Sequence, residues 1–509
     1  MRMFKSKKGA AAKERRPIKV PSLGLSLVPV LGMLVFMGVG SIWLDLPAEP
    51  MVILAAVVAG LVAIGLGHTF NDLMQVVAEK IAKVMPALLI LITVGFLIGA
   101  WMAGGTIPLM VHFGLDIVSP RFLYLTALVV TSIVSIFTGT SWGSVGTIGV
   151  AFMGVAISMD GVSLAVTAGA IVSGAYFGDK LSPLSDTTNL AAAVTRIPLY
   201  EHIRNLLWTT GPSWLLAAII MFFMGFTVNP NAGGGEAKVA AINGALDTGF
   251  AWNFWLLIPI IIVLGGSMLK MPTIPVMLFS SGVAMVNAVV FQHISISNVF
   301  NAVTSGFNVD MLGAGFNPGT AADDINTLLN RGGMLSMMST LLIAFCALVF
   351  AGIMAAMGSL EVIVNKLLTV AKSTGSMILA TIGVGMMTIA TTCNGQISIL
   401  MPGEMLREAF IRRNLSPKNL GRTLEDSATI IEPILPWTAA GAYMAATLGV
   451  ATVSYVGWAT LCWTGIIFAA IWGFTGIGIS RISDEEKAKL LAEIEAENEL
   501  GHSPVPVGA

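Results

Sequence analysis

Charge is scarce in this chain. Of 509 residues only 11% are Asp, Glu, Lys or Arg, against 55% hydrophobic, and the mean hydropathy is +0.85. A soluble domain carries about 25% charged residues, so a water-soluble fold is excluded. Apolar runs of roughly 20 residues recur where barrel strands would alternate over roughly ten, so the spanning elements are helices. Cysteine is nearly absent. Cys346, Cys393 and Cys462 stand apart in apolar surroundings, with neither a disulfide framework nor metal spacing. The five histidines are scattered. No His-Glu-x-x-His pair, phosphate-cradling Gly-x4-Gly-Lys-Ser/Thr loop or dinucleotide fingerprint occurs, which leaves ATP-driven pumping without support within the chain.

The net charge of −1 says nothing about partners, but its distribution does. Eight Lys or Arg stand between Arg2 and Lys19 against the single Glu14. On the positive-inside rule this is a cytoplasmic anchor rather than a nucleic-acid arm. The first apolar run lacks a small-residue cleavage site and is long enough to span, which argues against a cleaved signal peptide. Spans are expected near 24–44, 50–68, 85–104, 205–226, 252–269, 273–292, 334–358 and 454–478.

With the N-terminus inside, Lys80 and Lys83, Arg196 and Arg204, Lys270, Lys366 and Lys372, the Arg407–Arg422 cluster and Arg481 face the cytoplasm. The apolar segment between Lys372 and Arg407 is too short for two spans of roughly 20 residues, so it is expected to enter and return as a re-entrant hairpin with its apex at 391–396. Residues 121–160 read as a second hairpin, apex 138–144, entering from the other side. Opposite entry implies an inverted-topology repeat. Near-constant offsets support it: Gly143 to Gly395 is 252, Pro183 to Pro433 250, Trp208 to Trp458 250, and Gly105 to Gly358 253. The expected architecture is an all-α polytopic membrane protein of about ten transmembrane helices plus two re-entrant hairpins and broken helices. It divides into a basic arm (1–22), a first repeat (23–226), an extracytoplasmic linker (227–251), a second repeat (252–480) and a cytoplasmic amphipathic tail (481–509).

The chemistry gathers at polar breaks. Between Ser173 and Ala191 an otherwise apolar stretch carries Asp179, Lys180, Ser182, Pro183, Ser185, Asp186, Thr187, Thr188 and Asn189. Ionisable groups at membrane depth are expensive and mark ion or proton paths. Proline interrupts a helix and frees carbonyls there. Glu432-Pro433 through Thr438 forms a similar break in the second half, and the hairpin tips add Thr140, Ser141, Asn394 and Gln396. Hydroxyls, amide oxygens and a carboxylate suit Na⁺, a hard cation that takes oxygen ligands.

Asp186 is the first choice for the coupling carboxylate and the Na⁺ ligand, although it also reads as a helix N-cap. Asp179 is either a second coupling acid or part of an ion pair. Lys180 is a built-in counter-charge or a snorkelling anchor. Glu432 is the second-half acid, whereas Glu425 and Asp426 read as a helix start near the basic loop. Trp142, Phe137 and Trp437 read as packing. Gly139-Thr140-Ser141-Trp142-Gly143 fits a nucleophile elbow, but an apolar helix precedes it and no His is placed to serve, so a hydrolase is rejected.

The run Gly174-Ala175-Tyr176-Phe177-Gly178-Asp179-Lys180-Leu181-Ser182-Pro183-Leu184-Ser185-Asp186-Thr187-Thr188-Asn189 resembles the signature of NhaC-type sodium/proton antiporters. Thr138–Gly143 and Glu432-Pro433 with Pro436-Trp437 are similar to that family as well. The resemblance implies paired hairpins and broken helices, and Na⁺/H⁺ exchange in a bacterial inner membrane with both termini cytoplasmic. Relatives within it exchange malate and lactate, or carry amino acids, which is the alternative; an ion channel is the alternative from another class. The expected partners are Na⁺, H⁺ and the lipid bilayer, with no cofactor beyond the transported sodium, no nucleic acid, and a homodimer left open.

Overall fold

The computed structural model describes residues 17–44, 46–228, 235–313 and 315–499. Most of the basic arm and the end of the tail lie outside the described residues. The first half runs α1 (Leu23–Val35), α2 (Ala48–Gly65), α3 (Phe70–Ala103), α4 (Thr106–Ile117), α5 (Leu123–Thr138), α6 (Ser141–Ser158), α7 (Leu164–Leu181), α8 (Asp186–Thr195) and α9 (Leu199–Gly225). The linker is no plain loop: it holds α10 (Gly235–Gly249), and a bend of 106° separates this helix from the one that follows. The second half runs α11 (Ile258–Met268), α12 (Thr273–Val290), α13 (Ile296–Ser305), α14 (Ala322–Leu329), α15 (Met338–Ala356), α16 (Ser359–Val370), α17 (Thr374–Thr392), α18 (Gly395–Arg412), α19 (Pro417–Leu424), α20 (Ala439–Leu448) and α21 (Thr460–Thr475). The tail forms α22 (Asp484–Glu499).

Among the described residues nine helices are long and apolar enough to cross a membrane, ten if the bent pair counts as one span. The chain is an all-α polytopic membrane protein. Three of the nine are hairpin arms, which the sequence reading had counted apart from the spans.

The halves repeat one succession of elements. Pro47 caps α2 and Pro272 caps α12, both in the same extended backbone conformation. Gly105, at φ 79°, closes α3 and opens α4, and Gly358, at φ 63°, does the same between α15 and α16. The offset is 225 at the first pair and 253 at the second. The difference of 28 is taken up by α13 and α14, an insert of the second half alone. Of the four offsets read from sequence, only Gly105–Gly358 joins residues with the same structural role.

α3 and α15 cross at the centre. α2 packs on α15 and α12 on α3, so each half's second helix supports the other half's third. α8 packs on α18, and α20 on α6, so each broken helix continues against the opposite hairpin. This exchange, built on close approaches such as Gly352 on Val77 and Gly403 on Val194, brings the four breaks together.

The arms of the second hairpin are longer than the Lys372–Arg407 segment allows. α17 and α18 have 19 and 18 residues because the helix runs past Arg407, which is buried within α18 rather than placed in a loop. Arg422 is also buried, donating to Gly478 O at 2.8 Å, so the basic cluster is only partly a surface loop. The last expected span, 454–478, is the 16-residue α21 preceded by a separate turn of helix at Thr452–Tyr455.

Candidate functional site

A cavity of about 720 Å³ lies where the four breaks meet. At the first tip α5 stops at Gly139, whose φ of 68° is the left-handed turn that glycine adopts without strain. Thr140 then caps α6, its hydroxyl accepting from Gly143 N at 3.2 Å. At the second tip Cys393 takes the left-handed position at φ 56°, and Asn394 caps α18 by accepting from Ile397 N at 3.0 Å. Each tip is braced the same way. Thr138 and Ser144 hydroxyls lie 3.2 Å apart, and those of Thr392 and Ser398 2.8 Å apart. Ser144 and Ser398 both donate, at 2.8 Å, to the carbonyl of their capping residue.

Each tip delivers a helix N-terminus to one carboxylate of a broken helix. The first four N–H groups of a helix lack partners within it, and its dipole favours negative charge there. Asp179 accepts from the Ser141 hydroxyl at 2.8 Å and faces the Ser141 N–H and the Ser185 hydroxyl. Glu432 faces the N–H groups of Gly395 and Ala440. Thus Asp179 lies between the starts of α6 and α8, and Glu432 between the starts of α18 and α20. The two acids are 253 residues apart and hold the same place in each half.

Thr140, Ser141, Asp179, Asp186, Thr187, Asn189, Asn394, Gln396 and Glu432 all line the cavity. Asp186 is exposed to it as the first residue of α8; the cap is Ser185, not Asp186. Ser182, Thr188 and Thr438 instead spend their hydroxyls on the backbone. Ser182 donates to Ile136 O at 2.7 Å, Thr188 to Lys180 O at 3.1 Å, and Thr438 to Glu432 O at 2.6 Å. Ser185 caps α8, and Thr438 caps α20. Of the carbonyls just before Pro183, expected to be free, that of Asp179 accepts from Ser182 N at 3.1 Å and that of Ser182 from Ser185 N at 3.2 Å.

Lys180 is buried and its ammonium pairs with Asp426, which also accepts from the Thr209 hydroxyl at 3.0 Å. Glu425 and Asp426 are therefore not a helix start. They lie on a π-turn, Glu425–Thr429, that prolongs α19 into the interior, and both are fully buried. Because Arg422 is drawn inside, the helix continues inward where the sequence suggested a loop. Tyr176 and Thr429 complete the polar wall. Trp142 stacks on Tyr443 with ring centroids 4.4 Å apart, and Trp437 donates to Ala390 O at 3.0 Å; both are held as packing groups. Phe137 is exposed instead. The exposed Lys83 and Lys270 mark where the cavity opens.

Residues 174–477 match a family model described as the Na⁺/H⁺ antiporter family. The chain is 55% identical to an uncharacterised Na⁺/H⁺ antiporter of Haemophilus influenzae, over 91% of this chain and 98% of that one. It is 34% identical to the malate-2H⁺/Na⁺-lactate antiporter of Bacillus subtilis, over 91% and 96% of the two chains. It is 33% identical to the Na⁺/H⁺ antiporter NhaC of Alkalihalophilus pseudofirmus, over 86% and 91%. This chain belongs to the Na⁺/H⁺ antiporter family.

Proposed function

We propose that this protein is a secondary active Na⁺/H⁺ antiporter in which Na⁺ and protons compete for Asp179 and Glu432, with Asp186 as an entry ligand for Na⁺. The observation that carries the reading is one cavity walled by two symmetry-matched carboxylates and by hydroxyl and amide oxygens, with no arginine in the wall among the described residues. An acid that is either protonated or bound to Na⁺ exchanges the two by competition. Occupancy also alters its hold on the helix N-termini that carry the tips, which ties binding to movement of the tips. In the proposed orientation both termini and the Lys83–Lys270 mouth face the cytoplasm of a bacterium, and the halves are inverted in the inner membrane.

A second reading, exchange of an organic solute together with Na⁺ and H⁺, is favoured by the cavity volume, which falls in the roughly 300–1,000 Å³ range of small-molecule sites. Two relatives carry names of that kind, the malate-2H⁺/Na⁺-lactate antiporter and an arginine/ornithine antiporter.

Purified protein in liposomes separates the readings. A Na⁺ gradient alone should drive H⁺ the opposite way; coupling that appears only when an organic solute is added supports the second. Asp179→Asn and Glu432→Gln should each abolish exchange with insertion intact. Asp186→Asn should raise the Na⁺ concentration for half-maximal rate at least ~10-fold, as loss of one charged ligand implies. Unchanged kinetics would remove Asp186 from the site.

A further inference from the structure

We infer that Glu425 is a second-rank proton carrier, reached from the cavity through the Thr429 hydroxyl; the inference rests on the antiport reading. Glu425 is fully buried and does not line the cavity. Its Oε2 accepts from Thr429 Oγ1 at 2.7 Å, while its Oε1 has no hydrogen-bond partner among the described residues. Thr429 does line the cavity, so a single side chain joins the wall to the buried acid, its hydroxyl lying 3.0 Å from the Glu425 carbonyl as well.

The neighbouring charges leave Glu425 uncompensated. Lys180 and Asp179 of α7 and Asp426 on its own turn face it. The Lys180 ammonium is bonded to Asp426, which Arg422 of α19 also favours. Glu432 follows on the next turn. Of the other elements packed on this turn, α17 and α21 carry no Asp, Glu, Lys, Arg or His, and α8 offers only Asp186, exposed in the cavity. The first charged residue of α18 is Glu404, more than two helical turns beyond its start at Gly395. Two buried acids at positions 425 and 426 thus share one ammonium, and Asp426 holds it. A buried carboxyl without a counter-charge is stable only when neutralised, and the small hydroxyl link admits a proton more readily than a hydrated ion.

Transfer conserves every atom. Thr429 Oγ takes a proton from a hydronium in the cavity, leaving water, as its own hydroxyl proton passes to the Glu425 carboxylate at Oε2, and the reverse returns it. Glu425 is thereby a reservoir from which a proton reaches the cavity acids after Na⁺ leaves.

The test uses the full chain in liposomes, with two readouts: Na⁺-driven H⁺ flux as a function of pH, and proton-independent ²²Na⁺/Na⁺ equilibrium exchange. For E425Q the expected result is H⁺ flux at least tenfold lower with a flattened pH profile, while ²²Na⁺/Na⁺ exchange persists. T429V should slow H⁺ flux several-fold and T429S should restore it. Wild-type H⁺ flux and pH profile in E425Q overturn the inference. So does parallel loss of both fluxes in a correctly inserted variant, which would make Glu425 a positioning residue. If E425Q fails to insert, the T429V and T429S pair decides, and T429V at the wild-type rate overturns it. Absence of Na⁺/H⁺ exchange in the unaltered protein rejects the antiport reading, and this inference with it.

Discussion

At Gly139 the backbone adopts φ 68°, and a Cβ there would strike Leu184. The left-handed conformation alone costs a non-glycine residue about 1–2 kcal/mol, and the clash adds to it. Gly139→Ala is expected to destabilise the protein by ~2 kcal/mol or more, lowering its unfolding midpoint in detergent and slowing exchange, because this glycine sets the first tip. At residue scale the sequence showed which side chains are polar where polarity is costly, and nine of the expected site residues line one cavity. It could not separate those facing the cavity from those bonded to backbone. Thr187 and Thr188 are neighbours of the same general chemistry, yet one lines the cavity and the other binds the Lys180 carbonyl. That choice is a matter of helix phase, which a one-residue shift in the start of α8 reverses. Nor could it find the partner of Lys180, since Asp426 is 246 residues away.

The elements that build the site end on caps. Asn394 holds the first turn of α18 through Ile397 N, and the start of that helix faces Glu432. Asn394→Ala should cost about 1 kcal/mol, the usual loss for a cap, whereas Asn394→Asp should retain most of the stability. Thermal unfolding measures the first effect. A weaker Na⁺ response in the same variant, by liposome flux, would link the cap to the acid. The hairpin tips and broken helices were legible as elements because Gly, Pro, Thr and Asn interrupt apolar runs there. Their partners in the other half were legible only to within a few residues. Thr140 and Asn394 do the same work with different side chains, and identical residues such as Pro183 and Pro433 do not superpose in role. The span lengths failed where a charged residue, Arg407 or Arg422, is buried inside a helix instead of ending it.

At the scale of the whole molecule, Lys238 on the linker helix joins Asp160 at 2.6 Å and Asp324 at 2.9 Å, tying α10 to the turn after α6 and to α14. Burial pulls this ammonium down, but the hydrogen bonds and charges of the two aspartates outweigh it and hold it above the ordinary lysine value of 10.5. A raised lysine contributes fully below its unfolded value and loses that contribution as pH climbs through the folded one. Lys238→Met should therefore lower the unfolding midpoint by about 1–2 °C at pH 7 and pH 9, with the difference fading only in stronger alkali. The orientation has its own test. Cys346, Cys393 and Cys462 are all buried, so Lys270→Cys should be the main site for an impermeant thiol reagent. Labelling should occur in inside-out vesicles and not in right-side-out ones; the reverse would invert the proposed topology. Composition and charge made the membrane class plain. The linker and the polar insert at 296–332 were legible as segments but their helices were not, because short helices at the end of a bundle are stabilised by what they cover.

The repeated halves also predict where a second entrance would form. The present opening is rimmed by Lys83 on α3 and by the turn at Lys270 and Pro272 before α12. Applying the offsets of 253 and 225, the counterparts are Ser336, ahead of α15, and Pro47, ahead of α2. An exchanger assembled from duplicated parts needs no separate machinery for release on the far side. The same tips and breaks, used by the opposite copy, would open a doorway between Ser336 and Pro47 as the first one closes.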